Sequence, residues 1–519
     1  MTMRIIDFFD QGVRYHADKP AFVDVESRYS YSQADAEIHR VAGALVGRGV
    51  GKGARVGVYS PNANPAWIAL LGLMRAECVW LPINPRNSVD VNVDLSLRFG
   101  MDVMFYDACF NSEVEAIKEQ VPGISQFVCI KGKGNVGMSQ GEFVEGQPET
   151  HQTGPHTAKE LAAIFPTGGT TGQSKGVLMN HEALETFAAN YYTHFNYRED
   201  SVHLVVAPMT HSAGIMGCLH FMRGGCNVIT KQVDPLSIMQ DIEQHSVTHL
   251  FLPPTVLYMM LAHEQVRDFE YSSLQHFIVG AAPTSLEKLK EAIEIFGPVM
   301  TEAYGQTEAP AAITLKAPWD YIDADGNIDD ERLAGIGRPA AFSPVKILGE
   351  DGNEVPRGEP GEICVSGRLV TLGYLDNAEA TAEAHRNGWL WTGDVGVMSD
   401  DGYVRIVDRS KDMIISGGFN IYPNEVEQVI SELPEIQEVA VIGVPDDKWG
   451  EAVKAIIQLR PGQELDSEAV INLVKERLGS VKAPKTVDFI DDLPRSPNGK
   501  VLKTALRKPY WQDKGRAVN

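Results

Sequence analysis

Between about residues 30 and 300, short β-rich apolar runs alternate with amphipathic segments, and no other feature limits the fold as strongly. ARVGVYS (54–60), DVMFYD (102–107), HLVVAP (203–208), THLFLPP (248–254) and HFIVGAAP (276–283) read as strands. Their apolar stretches suit strands covered on both faces, so the alternation predicts βαβ units on parallel sheet. One intervening helix is marked in detail. Thr284 with Glu287 reads as a capping box, Leu286, Leu289, Ile293 and Phe296 form an apolar stripe, and Gly297-Pro298 stops the helix.

Beyond about residue 330 the texture changes. PVKIL, GEICVSG and GYVRIVD are short strands separated by DG and PxG turns, which predicts a small antiparallel barrel or sheet. DRSKDMIISGGFNIYPNEVE (408–427) then leads into a third section. Pro423 suits a helix first turn, and Val426, Ile430 and Leu433 share a face. VAVIGVPD (439–446), VKAIIQL (453–459) and a helix from about Asp466 complete a compact α+β unit. A chain of 519 residues exceeds one hydrophobic core. We place the main boundary at Asp408, giving domains 1–407 and 408–519. The expected fold class is α/β: a large N-terminal domain of parallel or mixed sheets with helices and a small β-barrel, then a smaller α+β C-terminal domain.

A net charge of −23 repels polyanions, which excludes nucleic acid as the main partner. MTMRIIDFFDQG is interrupted by Asp7 and Asp10, unlike a secretory signal. The apolar stretch 67–83 is broken by Arg75 and Glu77, which disfavours a membrane span. Cys78, Cys109, Cys129, Cys218, Cys226 and Cys364 show no CxxC spacing and read as reduced thiols, so a cytoplasmic location is expected.

Four segments carry candidate chemistry. FPTGGTTGQSKG (165–176) follows the apolar run LAAIF. Gly168, Gly169 and Gly172 let backbone wrap an anion, Thr167, Thr170 and Thr171 add hydroxyls, and Lys175 adds a point charge. The segment fails the Walker A pattern, since Ser174 precedes Lys175 and Gly176 follows it. GIGRPA (335–340) fits GxGxxA only nominally; it contains a proline and reads as a turn. TEAYGQTE (301–308) reads as a polar loop in which Tyr304 can lie against a planar base, Thr307 donate to phosphate and Glu308 hold Mg²⁺. In WTGDVG (391–396), Asp394 is either a ribose acceptor or a turn-former. PRSPNGKVLK (494–503) presents Lys500 on a Pro/Gly-rich loop.

In this order, TGGTTGQSKG, YGQTE, TGD, DRSKDMIISGGFNIYPNEVE and PNGK closely resemble the motif series of the adenylate-forming superfamily. That group includes acyl-CoA synthetases, peptide-synthetase adenylation domains and luciferases. The resemblance spans about residues 10 to 508. It implies that ATP and a carboxylic acid form an acyl-adenylate and pyrophosphate, after which a thiol displaces AMP. By the match, 167–175 clamps the β- and γ-phosphates. Gly280, Ala281 and Ala282 flank the adenine, with Tyr304 on its other face and Glu302 and Ala303 along its edge. Thr307 touches the α-phosphate, Glu308 and Thr170 hold Mg²⁺, and Asp394 and Arg409 hold the ribose. Lys500 bridges the substrate carboxylate and the α-phosphate. The match also makes Asp408 a hinge of a mobile C-terminal domain whose rotation exchanges Lys500 for the CoA-channel segment Gly417-Gly418-Phe419. His211, counted with the catalytic residues, is placed at the mouth of the acyl site.

The chain departs from the family pattern at three positions: Gly168 where Ser is frequent, Ser174 where Pro is frequent, and Thr210 in place of an aromatic residue. The expected acyl pocket (Ala213, Gly214, Met216, Val256, Ala281, Ala282, Gly305) is small and apolar, without a cation for a second carboxylate or an acid for an ammonium group. A hydrophobic monocarboxylate, fatty or aryl, follows. Cofactors implied are ATP, Mg²⁺ and CoA as co-substrate, and a homodimer is an open expectation. A stand-alone adenylating enzyme loading a carrier-protein thiol is the alternative, and a silent nucleotide-binding relative the non-enzymatic one.

Overall fold

The computed structural model describes residues 2–511 except 168–173, 211, 231, 281, 283, 324, 410–411, 447, 496–500 and the side chain of residue 212. Among the described residues the strands form four sheets. In the nine-stranded sheet, Pro20–Val23, Cys226–Ile229, Val202–Val205, His249–Leu252, His276–Val279 and Met300–Gln306 run parallel. Antiparallel strands Arg28–Ser30 on one side and Ala309–Lys316 with Arg338–Pro339 on the other close its edges. The seven-stranded sheet is parallel except for the hairpin of Leu161–Pro166 and Gly176–Asn180. The buried run Val-Met-Phe-Tyr-Asp of Val103–Asp107 shows why: strands covered on both faces need no polar alternation.

Val345–Leu348, Gly361–Val365, His385–Arg386, Trp389–Met398 and Val404–Arg409 form a five-stranded antiparallel sheet, the expected small barrel or sheet. The last sheet is built on the long pair Ile436–Asp446 and Gly450–Leu459, with Thr486–Phe489 added parallel. Helices Pro423–Ile430 and Ser467–Leu478 pack on it through Val426, Ile430, Val470 and Val474. The hydrophobic clusters of the first three sheets draw on residues up to Ile406, and those of the last sheet start at Ile414. No described helix is long and apolar enough to cross a membrane. All six cysteines are free thiols, and only Cys109 is exposed.

Three local expectations are corrected. The helix Leu286–Phe296 begins after Ser285, without a side-chain cap bond, so Thr284 and Glu287 form no capping box. The one-residue offset puts Lys288, which cannot accept a hydrogen bond, at the position where the box needs a carboxylate. TEAYGQTE is mostly strand, not loop: Met300–Gln306 pairs with Ala309–Lys316, and only Thr307 and Glu308 turn. Asp394 is likewise strand, inside Trp389–Met398 and opposite Arg409.

Candidate active site

The 167–175 loop, Gly280 and the Thr307-Glu308 turn each follow a strand of a parallel array, where loops leave backbone groups free for ligands. Pro166 pairs with Gly176, so 167–175 closes a hairpin at the end of Leu161–Pro166. Its stem is fastened by three bonds. Thr167 N donates to Lys175 O (2.9 Å), Lys175 N donates to Thr167 Oγ1 (3.0 Å), and Ser174 Oγ donates to Thr167 O (2.7 Å). Arg98 Nη1 holds the same stem through Ser174 O (2.7 Å). Gly168, Gly169, Thr170, Thr171 and Gly172 lie outside the described residues.

Thr307 and Glu308 turn at the end of Met300–Gln306. Glu308 is 8% exposed, and its Oε1 accepts a hydrogen bond from Tyr374 Oη at 2.6 Å. Lys175 Nζ stands 4.6 Å from the centroid of the same tyrosine ring. The loop lysine and the buried carboxylate therefore meet on one aromatic side chain.

Tyr304 and Asp394 join the nine-stranded sheet to the small antiparallel one. Tyr304 Oη donates to Asp394 Oδ2 (2.8 Å), and Arg409 Nε lies 3.2 Å from Asp394 Oδ1. Burial, then the neighbouring Asp394 charge, push the Tyr304 phenol well above its ordinary pKa and keep it a donor. A carboxylate offers about four acceptor positions, so two partners leave room for ribose hydroxyls. Glu302 behaves differently: its carboxylate pairs with the fully buried Lys316, whose Nζ also donates to Leu333 O and Gly335 O. Only its backbone and that of Ala303 remain for an adenine edge.

Gly280 follows His276–Val279 directly. A Cβ there would stand 3.2 Å from the Phe251 ring and 3.3 Å from Ala303 O, so the chain comes close to the Met300–Gln306 strand at this point. Ala282 is half-buried; Ala281 lies outside the described residues. Ala213 and Met216, on helix Ser212–Cys218, are buried in the same cluster that Ala303 and Tyr304 pack against. Val256 packs instead with the separate cluster containing Leu252 and Leu257. The small size of Gly214 and Gly305 is taken up by backbone: an added Cβ would lie 1.9 Å from Met209 O and 2.5 Å from Ala311 N, respectively. Thr210 is buried, and its hydroxyl has no hydrogen-bond partner among the described residues. His211 lies outside them.

Asp408 stands opposite Val395. Its Oδ1 accepts from Arg409 N and its Oδ2 from Asn424 N, both at 2.7 Å, the latter in the first turn of helix Pro423–Ile430. Burial pushes this carboxyl up to about 6, against the nearby positive charge of Lys503. Lys503 in turn pairs with Glu427 at 2.7 Å. Gly417 (φ 59°) and Gly418 (φ 84°) are the two-residue turn between Ile414–Ser416 and Phe419–Ile421. Both positions need positive φ, so the turn itself demands glycine. Phe419 is 61% exposed. Lys500 lies outside the described residues, in a segment whose ends are drawn together by Arg495 pairing with Val501 and by Leu502 N donating to Pro494 O (2.7 Å).

Residues 8–375 match the sequence signature described as AMP-binding enzyme, and residues 425–500 match the AMP-binding enzyme C-terminal domain. The chain belongs to the AMP-binding enzyme family. Across nearly its whole length this AMP-binding enzyme is similar to proteins named as CoA ligases. A medium/long-chain-fatty-acid–CoA ligase of Mycobacterium tuberculosis is 33% identical, covering 98% of this chain and 90% of that protein. A feruloyl-CoA synthase of an Amycolatopsis species is 32% identical, covering 93% and 94%. Among solved structures, ATP-bound MatB from Rhodopseudomonas palustris superposes with a TM-score of 0.89 at 29% identity, covering 99% of this chain and 100% of that one.

Within this AMP-binding enzyme the sequence motifs overlooked Tyr374. Its available signal was the Gly-Tyr pair after a β-rich run in GRLVTLGYLDN. A cavity of about 260 Å³ between helix Ile5–His16 and strand Leu161–Pro166, lined among others by Arg4, Glu77, Trp80 and Phe165, contains none of the candidate residues.

Proposed function

We propose that the protein uses ATP to convert a hydrophobic monocarboxylic acid into an acyl-adenylate and then transfers the acyl group to CoA. The observation that carries this reading is a pair of clusters, Lys175 and Glu308 held on the Tyr374 side chain and Tyr304 bonded to Asp394 beside Arg409. The first suits a triphosphate and the second a nucleoside. In the first step a carboxylate oxygen attacks the α-phosphorus, the bond to the β-phosphate breaks, and pyrophosphate leaves. In the second the CoA thiol attacks the acyl carbonyl and AMP leaves with the former carboxylate oxygen. A carboxylate is a poor electrophile because oxide would have to leave; the mixed anhydride removes that barrier. The protein's task is positioning and charge neutralisation.

Lys175 and the 167–175 backbone hold the departing phosphates, Thr307 donates to the α-phosphate, and the Tyr304–Asp394–Arg409 group orients the nucleoside. The buried Glu308 carboxylate suits Mg²⁺, which is commonly held by one or two carboxylates with phosphate oxygens and water. Glu308, with Thr170, would hold the ion, which supplies charge neutralisation between the phosphates. We set the domain boundary at Asp408, between the two sets of cores, with Lys500 serving adenylation and Gly417-Gly418-Phe419 the CoA step after rotation of the C-terminal domain. The buried Ala213 and Met216 favour an apolar acid.

The protein is incubated with ATP, Mg²⁺ and a panel of fatty and aryl acids, with and without CoA. Acid-dependent pyrophosphate release with acyl-CoA appearing only when CoA is added is expected. Pyrophosphate release without acyl-CoA for every acid would favour carrier-protein loading. Lys500→Ala is expected to lower adenylation by ~10²–10³ while thioester formation from supplied acyl-adenylate survives. An equal fall in both steps, in a folded variant, would contradict the two-conformation assignment.

A further inference from the structure

Tyr374 is in contact with both Lys175 and Glu308. Its place is built in several ways. The 371–375 segment lies along Gly176–Asn180, with Leu178 N donating to Gly373 O (2.8 Å), Leu372 N to Leu178 O (3.0 Å) and Leu375 N to Gly176 O (2.8 Å). Tyr374 N donates to Thr381 Oγ1 (2.9 Å), and that hydroxyl donates onward to Asn377 O (2.8 Å). Gly373 sits at φ +108°, where a Cβ would lie 2.4 Å from Thr381 Cγ2. Only glycine lets the chain turn here and deliver the ring beside the loop stem. Burial, then the adjacent Glu308 charge, raise the phenol's pKa, so the proton stays on Tyr374 and the carboxylate remains the acceptor.

We propose that Tyr374 is a positioning residue that presents Glu308 to the metal of bound MgATP through its hydroxyl and holds Lys175 beside it through its ring. The inference rests on the proposed function and adds to it a residue outside the five motifs. The two contacts act differently. The short bond to Oε1 fixes the carboxylate rotamer, so a metal ion meets an oriented ligand rather than a free side chain. Partners that orient metal ligands in this way commonly matter about 10- to 100-fold for metal affinity or activity. The contact with the ring face keeps the Lys175 ammonium near the phosphate position without neutralising it, since a cation–π contact is weaker than an ion pair with phosphate.

Tyr374→Phe retains the ring and removes only the hydroxyl, whereas Tyr374→Leu removes both contacts. In Tyr374→Phe the apparent KM for Mg²⁺ in pyrophosphate exchange is expected to rise about 10-fold, with kcat at saturating Mg²⁺ changed less than about twofold. The Tm of the free protein stays put, the Tm rise with MgATP shrinks, and the rise with ATP in EDTA is retained. Tyr374→Leu additionally loses part of the rise with ATP in EDTA. A Phe variant with wild-type Mg²⁺ dependence would overturn the proposal. So would a rate loss at every Mg²⁺ concentration with a lowered Tm, which would make Tyr374 a structural strut. If the unaltered protein releases no pyrophosphate with any acid, the proposed function fails instead, while the Tm shifts still report on Tyr374.

Discussion

Asp394→Ala is expected to lower kcat/KM for ATP by roughly 100-fold, because hydrogen bonds to a charged acceptor contribute about 1.5–3 kcal/mol each. The reasoning is geometric. Asp394 is 7% exposed and fixed by Tyr304 Oη at 2.8 Å and Arg409 Nε at 3.2 Å, so its free lone pairs point in a set direction. The same substitution strands the Tyr304 hydroxyl and the Arg409 guanidinium, so a general loss of packing has to be separated from a loss of ribose contacts. A substrate change does this. With the unaltered protein, ATP lacking a ribose hydroxyl should show a large part of the same loss. With Asp394→Ala, removing that hydroxyl should cost almost nothing further, since coupled contacts are not additive. Equal penalties for the deoxy substrate in both proteins would show that Asp394 does not hold the ribose.

Acidification between pH 6.5 and 5 is expected to destabilise the protein strongly, before ordinary carboxylates titrate. His203, His249 and His276 are register partners on adjacent parallel strands, and His220 packs against His203 and His249, with neighbouring ring centroids 4.9–5.1 Å apart. All four are buried. Their partners are neutral: Asn227 for His203, Thr248 for His249 and Thr301 for His276. The nearby Asp320 engages His194 instead. Burial therefore pushes His203 and His276 down to about 4, and His220 and His249 down as well. Folded pKa values below the unfolded value mean that the unfolded chain takes up more protons, so stability falls with pH from about 6.5 towards 4. At pH 5, His203 and His276 alone contribute a loss of about 4 kcal/mol by this linkage. Asp408, raised to about 6, acts in the opposite sense and recovers roughly 1 kcal/mol. Denaturant midpoints measured at pH 7 and pH 5 give the comparison. His276→Gln should flatten the dependence; an unchanged slope in that variant and in His203→Gln would show that the cluster is not its source.

Much of this histidine row could be read in the chain. HLVV, THLF and HFIV each carry a histidine at the start of a strand, and parallel pairing in register places those histidines side by side. The alternation of strands and helices likewise survives in the two large sheets, since continuous apolar runs have few other ways to be buried. What escaped reading depends on neighbours distant in the chain. Tyr304 and Asp394 looked like loop and turn residues because glycine and threonine surround them; pairing with Ala309–Lys316 and with Val404–Arg409 makes both strand residues. At Gly214 and Gly305 the need for glycine comes from folded backbone, a Met209 carbonyl and an Ala311 amide that stand where a Cβ would be. Tyr374 lies outside the five motifs, and the long-range pairing of 371–375 with Gly176–Asn180 brings it to Lys175. The Thr284 box failed by a single residue, because spacing alone does not decide where the first helical turn closes.

The most direct test of the acyl-adenylate account follows one oxygen. An accepted acid labelled with ¹⁸O in its carboxylate is converted with unlabelled ATP and CoA, and the products are weighed by mass spectrometry. Attack of the carboxylate on the α-phosphorus should leave one ¹⁸O in AMP and none in pyrophosphate. Label in inorganic phosphate together with ADP, or AMP without label, would contradict the account.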